Sequence, residues 1–491
     1  MPARRGEDYI KSIKERQPTV FYGGEVVKDV TTHPAFSVAV KTLARMYDLQ
    51  WEDGYREKLT YTLPGRGDRV GISYLIPDST EKLIRIREGS TLIYDNMYGF
   101  FGRCFDYLNI WTGVFAAHSK DFFGQPEPRF GENVVNFHER CRDNDVFLTH
   151  AIVAPSVDRS KMASQLADPF IQAGVVSENS RGIVVRGAAM VSTAAPYAEE
   201  LIYFPNMLRD PDPRYALAFA CATNSKGLKF LARRAFTPRP ENTPFEYPMS
   251  SRFEESDAFV IFDDVLVPWE GVFVYKQVEK IPLMMWKGVM MKAWFNHHFN
   301  IQYYSRLKFL TGLAIVISTT VGIDKFVNVQ EKIGELLIYL NLTKASIIAA
   351  ETAATKLPNG LVRPNAEIAV SCSQFNMKAI PRANEIIKLL AAGSMISLPS
   401  SVKDLENPEI RKYIDKYLSG TGTSALERIK VFNLAWDVVS SEAGQRYELY
   451  DRFSRGDPTI MWAKMYEQFD DQRDESVAMV RRLLDEMGGP K

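Results

Sequence analysis

Cysteine and histidine are scarce in this chain of 491 residues, with four of the first and six of the second. Cys104, Cys141, Cys221 and Cys372 lie far apart and nowhere take C-x-x-C spacing, which argues against a disulfide framework and a thiolate metal site. There is no H-E-x-x-H, and His297 and His298 are adjacent rather than on one helical face, so a zinc hydrolase is not expected. A Walker A sequence and a G-x-S-x-G elbow are also missing. Gly65-Arg66-Gly67-Asp68-Arg69-Val70-Gly71 nearly matches G-x-G-x-x-G, but no convincing βαβ unit follows it. Neither a P-loop enzyme nor a dehydrogenase with its own nicotinamide domain is expected.

Charge of one sign is missing too. Sixty basic residues balance sixty acidic ones, which leaves no electrostatic case for nucleic acid or an anionic membrane as partner. The most apolar stretches, Leu310–Val321 and Leu336–Ala350, are broken by Gly, Thr, Asn or Lys and fall short of the ~20 apolar residues of a membrane span. The first residues are charged and lead into no apolar signal core. Asn341-Leu342-Thr343 is accordingly read as a chance sequon, and the chain as cytoplasmic.

The chain does hold 46% hydrophobic residues, enough for a large core, and a length that suits two to four domains at ~150 residues each. Residues 1–143 read mainly as helices, with Thr31-Thr32-His33-Pro34 as a capped helix start and a helix running from Tyr94 through Trp111. Across 144–275 the texture becomes short β-rich runs at 146–153, 182–187, 216–220 and 258–262, the pattern of a small antiparallel barrel or sandwich. Periodic stretches at about 288–322, 325–356, 375–395 and 424–446 then predict a four-helix bundle within 276–491. The order is helices, β, helices: an α+β chain with room for a planar cofactor between its layers.

Three polar side chains sit in strongly apolar sequence. Arg103 and Tyr107 are one helical turn apart in Gly102–Asn109, and His150 ends the run Phe147-Leu148-Thr149. A guanidinium, a phenol and an imidazole in such surroundings need a partner, and together they suit a small ring carrying a hydroxyl. A blander reading stays open: Arg103 paired with Asp106 on a helix surface, and a structural histidine on a strand.

The segments Gly102–Asn109, Leu148–Pro155, Arg181–Glu200, Ser251–Trp269 and Trp436–Pro458 resemble, in order and spacing, the 4-hydroxyphenylacetate 3-hydroxylase family. Its members are oxygenase components of two-component aromatic monooxygenases. The resemblance implies an acyl-CoA-dehydrogenase-like fold and a homotetramer (or dimer) built on the C-terminal helices. It implies FAD, reduced by a separate NAD(P)H-flavin reductase, and O2 as co-substrate. Oxygen transfer would pass through a flavin C4a-hydroperoxide to the ring carbon ortho to a phenol hydroxyl, giving a catechol.

Carried onto this sequence, the resemblance implies that Arg103, Tyr107 and His150 bind and polarise the phenol, with His150 also at the flavin. It places Thr193 by flavin N5 and makes Ser156, Val157, Asp158 and Arg159 a flavin-contacting loop. Phe453, Ser454, Arg455 and Gly456 would close over the flavin, and Pro205 and Asn206 would meet the far end of the substrate. Single residues also have plain readings: Thr193 in a turn, and Asp158 and Arg159 as a solvated pair. Pro205-Asn206 departs from the Ser/Thr groups that suit a phenylacetate carboxylate, so a related phenol fits equally. Other readings are a halophenol or nitrophenol monooxygenase on the same scaffold and a non-catalytic flavin-binding protein. An enzyme like 4-hydroxybutyryl-CoA dehydratase is disfavoured, because its [4Fe–4S] cluster needs three cysteines and a histidine. Here Cys104 stands alone and the run after His298 has none.

Overall fold

The computed structural model describes residues 3–238, 243–285, 289–420 and 422–487. In the N-terminal part, helix Thr80–Asn96 is capped by the Ser79 hydroxyl and helix Phe105–Ala117 is buried on almost every side. The single helix expected from Tyr94 through Trp111 is therefore two. The break has a local cause: Tyr98, Gly99 and Phe101 all take positive φ, and the chain turns inward before Cys104. Arg103 thus precedes the helix that carries Tyr107. The helix start expected at 31–34 is a turn in which Asp29 accepts from Thr31, and the helix begins at Ser37.

The β region is two stacked sheets, not a closed barrel among the described residues. The six-stranded sheet runs, in order, Glu25–Val26, Thr19–Tyr22, Leu228–Ala232, Asp257–Pro268, Gly182–Thr193 and Gly174–Asn179. The four-stranded one runs Val272–Tyr275, Leu217–Ala222, Glu200–Tyr203 and Leu148–Ala151. Two pairings are parallel: Thr19–Tyr22 with Leu228–Ala232, and Leu148–Ala151 with Glu200–Tyr203. Of the antiparallel barrel or sandwich expected from sequence, the stacked layers fit the sandwich, but two pairings run parallel because periodicity carries no information about partner direction. Phe262 of the first sheet meets Tyr203 and Phe219 of the second at ring separations of 5.5 and 5.7 Å. The smaller sheet is covered on both faces, which explains its unbroken apolar runs. At one edge side chains join the sheets: Thr149 donates to the Thr193 carbonyl at 2.7 Å and Ser192 to the His150 carbonyl at 2.6 Å.

Three of the four expected periodic stretches are long helices with adjusted ends, Val289–Thr320, Val327–Thr352 and Ala366–Ala391. The periodic stretch at 424–446 divides into Ala425–Val439 and Glu442–Phe453, because Ser441 caps a new helix. Residues 293–303 are buried on nearly every face, so the first long helix lies at the centre. Val327–Thr352 is, contrary to expectation, long and apolar enough by length and composition to cross a membrane. It packs against the other two long helices and leaves Val327, Ile338, Leu342 and Ile348 exposed.

The turn at 97–104 is fixed by close approach. A Cβ on Gly99 would lie 2.3 Å from the Arg306 backbone nitrogen, at a φ of +75°. At Gly360 (φ +88°) a Cβ meets nothing within 4 Å. We expect Gly360→Ala to show the backbone strain alone and Gly99→Ala to add a clash. The second should lower the unfolding midpoint by clearly more than the first, beyond the ~1 kcal/mol scale of the strain. Equal midpoints in thermal melts would contradict this packing.

Candidate active site

A cavity of about 580 Å³ opens where the turn before Phe105–Ala117, the joined sheet edges and the C-terminal helices meet. Arg103, His150, Arg159, Thr193, Asn206, Phe453, Ser454, Arg455 and Gly456 line it, so residues far apart in sequence converge there. Tyr107 stands directly behind: the Arg103 guanidinium carbon is 4.3 Å from its ring centre, and the His150 ring meets it edge-on at 5.9 Å. Ser156, Val157, Asp158 and Pro205 do not line the cavity. Ser156 accepts from Arg159 at 3.0 Å, Val157 is solvent-exposed, and Asp158 accepts from the Ser160 hydroxyl and backbone. Their exposed turn places only Arg159 on the cavity.

Arg103 is 6% and His150 4% exposed. Asp106 accepts no ion pair from Arg103 and instead faces His298 Nε2 at 2.8 Å, which removes the surface-pair reading. The Arg103 backbone donates to Glu255 at 2.6 Å, and its Nη1 donates to the Gly102 carbonyl at 3.1 Å and to the Tyr450 hydroxyl. Its Nε, the Tyr107 hydroxyl and both ring nitrogens of His150 have no hydrogen-bond partner although all are buried. Such groups are costly to leave unmet, so Arg103 and His150 at the cavity, with Tyr107 packed behind them, mark a place built for a polar ligand. Burial, and then the Arg103 charge, hold the His150 imidazole down to about 3, so it is neutral near pH 7. Burial pushes the Tyr107 phenol up against the opposing pull of Arg103 and Arg455, so it is a proton donor. Trp111, Phe295 and Phe299 complete an aromatic wall around them.

A charge cluster that the sequence pattern does not reveal reaches the cavity wall, which Asp257 and Arg446 help to line. Arg446 donates to both carboxylate oxygens of Asp257, at 2.6 and 3.0 Å, and to Glu255 at 2.7 Å. Arg233 donates to Asp257 and Glu254, at 2.8 Å each. Burial would raise the Asp257 carboxyl, but the two guanidiniums outweigh it and hold it at about 2. The Thr193 hydroxyl donates to Asp257 at 2.8 Å, so its oxygen has only lone pairs left to offer the cavity. The acidic run Glu254-Glu255-Ser256-Asp257 before an apolar strand was the available signal, with Arg446 and Tyr450 spaced i, i+4.

A neutral buried histidine makes a definite pH prediction. Folded His150 titrates near 3, whereas the unfolded chain takes up a proton near ~6.5. The unfolded state therefore binds more protons between those values, and stability is lost as pH falls below ~6.5. His150→Gln should remove up to ~1.4 kcal/mol per pH unit of that slope between pH 6.5 and 5. His138, also held down to about 3, supplies a remaining share. An unchanged slope in denaturant titrations of the variant would show that folded His150 is charged.

Known proteins resemble this chain along most of its length. Residues 5–274 match the 4-hydroxyphenylacetate 3-hydroxylase N-terminal region and residues 284–485 its C-terminal region. The 4-hydroxyphenylacetate 3-monooxygenase oxygenase component of Thermus thermophilus is 39% identical over 475 residues, 94% of each chain. A crystal structure of such an oxygenase component, complexed with FAD and 4-hydroxyphenylacetate, superposes with a TM-score of 0.92 at 38% identity, covering 99% of this chain and 100% of that one. An archaeal 4-hydroxybutyryl-CoA dehydratase from N. maritimus shares the fold, with a TM-score of 0.86 at 20% identity over 99% of this chain and 96% of that one. With both regions matched in order across nearly its whole length, the chain belongs to the 4-hydroxyphenylacetate 3-hydroxylase family.

Proposed function

We propose that the protein is the oxygenase component of a two-component monooxygenase that converts a phenol of the 4-hydroxyphenylacetate type to a catechol. One atom of O2 enters the ring ortho to the hydroxyl, the other leaves as water, and two electrons come from reduced FAD delivered by a separate reductase. The observation that carries this is that unpartnered polar atoms of Arg103 and His150 meet at one cavity, with the unpartnered Tyr107 hydroxyl buried directly behind them in an aromatic wall. Arg103 draws negative charge onto the phenol oxygen. Neutral His150 accepts the phenol proton, and Tyr107 donates a hydrogen bond to the same oxygen. Charge on that oxygen makes the ortho carbon more nucleophilic.

The cavity's donors suit FAD. Arg159 fits the pyrophosphate, the Thr193 oxygen accepts an N–H, and Phe453, Ser454, Arg455 and Gly456 close the mouth, with the buried Ser454 hydroxyl unpartnered. Bound reduced FAD supplies electrons and activates O2. The domain reading is 1–143, 144–275 and 276–491, with the long helices as a bundle of the acyl-CoA-dehydrogenase type. The chain is read as cytoplasmic.

Arg103→Ala should lower catechol formation from 4-hydroxyphenylacetate by ~10²–10³-fold while FAD-dependent oxygen uptake continues as hydrogen peroxide. Chromatography of the product and a peroxide assay read the two together. Undiminished catechol would remove Arg103 from the site, and nitrite or halide release from substituted phenols as the better reaction would favour the nitrophenol or halophenol reading.

The exposed row Val327, Ile338, Leu342 and Ile348, with Met479, Leu483 and Leu484 on the C-terminal helix, supports a homotetramer joined through these helices. Light scattering should give four times 55.7 kDa, and Ile338→Glu with Leu342→Glu should shift it to smaller species. A monomer in the unsubstituted protein would contradict this.

A further inference from the structure

Arg455 is the second buried guanidinium at the cavity, and no carboxylate among the described residues pairs with it. It is 2% exposed. One nitrogen donates to the Asp451 carbonyl, whereas Nε and Nη1 have no partner. Arg103 and Arg455 both lie against the Phe299 ring, their guanidinium carbons 5.1 and 4.8 Å from its centre. Both act electrostatically on the Tyr107 hydroxyl, which is itself unpartnered. Among the described residues, neither guanidinium forms an ion pair with a carboxylate.

The carboxylates on the packed elements are engaged elsewhere. Glu255 and Asp257 are held by Arg446 and Arg233, Asp106 by His298, and Asp451 lies 3.4 Å from Arg306. Asp457, which also lines the cavity, is exposed and caps the next helix, accepting from the Thr459 and Ile460 backbone. His150 is neutral, Tyr450 is a buried phenol, and Lys292 adds to the basic lining. Arginine does not shed its proton in a protein, and a buried unpaired charge costs several kcal/mol. Two such charges around one unpartnered phenol and one unpartnered imidazole require an anionic atom from outside the chain.

We propose that Arg103 and Arg455 together receive a phenolate oxygen, so that the substrate is held as its anion and Arg455 is a substrate-binding residue. This rests on the phenol monooxygenase reading and assigns to Arg455 a role distinct from closing over the cofactor. It also gives the ortho carbon its nucleophilic character before oxygen transfer, the phenol proton passing to His150, which is neutral before the substrate binds.

The probe is 4-nitrophenol, whose visible band reports the anion directly. Difference spectra are taken across pH with the full-length protein, with and without saturating FAD. At a pH where the free probe is mostly protonated, the wild type should bind it as nitrophenolate, its apparent pKa lowered by ~1–3 units. Arg455→Gln should raise that pKa again by about one unit, a tenfold loss in bound anion, and Arg455→Lys should keep most of the shift because it keeps the charge. Arg103→Gln should act in the same direction. Circular dichroism confirms that each variant is folded, and Arg455→Lys carries the test if Arg455→Gln is not. Nitrophenolate binding unchanged in Arg455→Gln, with only FAD affinity reduced, would overturn the proposal and leave Arg455 to the cofactor. Failure of the wild type to bind any phenol would instead overturn the functional reading beneath it.

Discussion

The fork between Arg446 and the carboxylates of Asp257 and Glu255 holds together the parts that build the cavity. Arg446 comes from a C-terminal helix, Asp257 begins the long strand Asp257–Pro268, and Glu255 lies just before that strand. Through Glu255 the same cluster fixes the Arg103 backbone, and through Asp257 it orients the Thr193 hydroxyl at the end of the neighbouring strand. Bidentate geometry and low exposure make this a pair whose breaking costs ~3–5 kcal/mol, because an uncompensated charge would remain in the interior. Arg233 and Glu254 close the network, so each of these charges has a partner.

That full pairing is what gives the unpaired groups their meaning. A few ångströms away, Arg103, Tyr107, His150 and Arg455 leave donors and acceptors unmet. The chain pairs five charges, of which Asp257 and Arg446 also line the cavity, and leaves four side chains open within and behind it, so the paired groups hold the frame and the open ones are free to receive a ligand. Packing keeps that division sharp. Trp111, Phe295 and Phe299 exclude water from the open groups, and a Cβ on Gly102 would strike the Tyr450 ring that supports Arg103.

The fold class was legible because hydrophobic periodicity is local: the long helices and the apolar strands were visible in their own residues. The layout of the sheets was not. Parallel pairing of Thr19–Tyr22 with Leu228–Ala232 depends on a partner two hundred residues away, and no local pattern encodes it. Arg103, Tyr107 and His150 stand out in sequence as polar groups in apolar surroundings and through family likeness, although no helical turn joins Arg103 to Tyr107, because the helix begins at Phe105. Positive φ at Tyr98, Gly99 and Phe101 causes that break, and only Gly99 hints at it in sequence. Arg446, Asp257 and Tyr450 escaped notice because charged residues on a helix or at a strand start usually face solvent, and only the tertiary contact reveals otherwise. Of the loop 156–159, only Arg159 reaches the cavity.

The central claim is that this cavity directs oxygen from a reduced flavin onto a phenol. Rapid mixing tests it most directly: protein loaded anaerobically with reduced FAD is mixed with oxygenated buffer, with and without 4-hydroxyphenylacetate. Flavin reoxidation is followed by absorbance and the products are collected. The account predicts slow reoxidation without the phenol, and with it faster turnover and about one catechol per flavin. Prompt reoxidation to hydrogen peroxide with every phenol tried would contradict it.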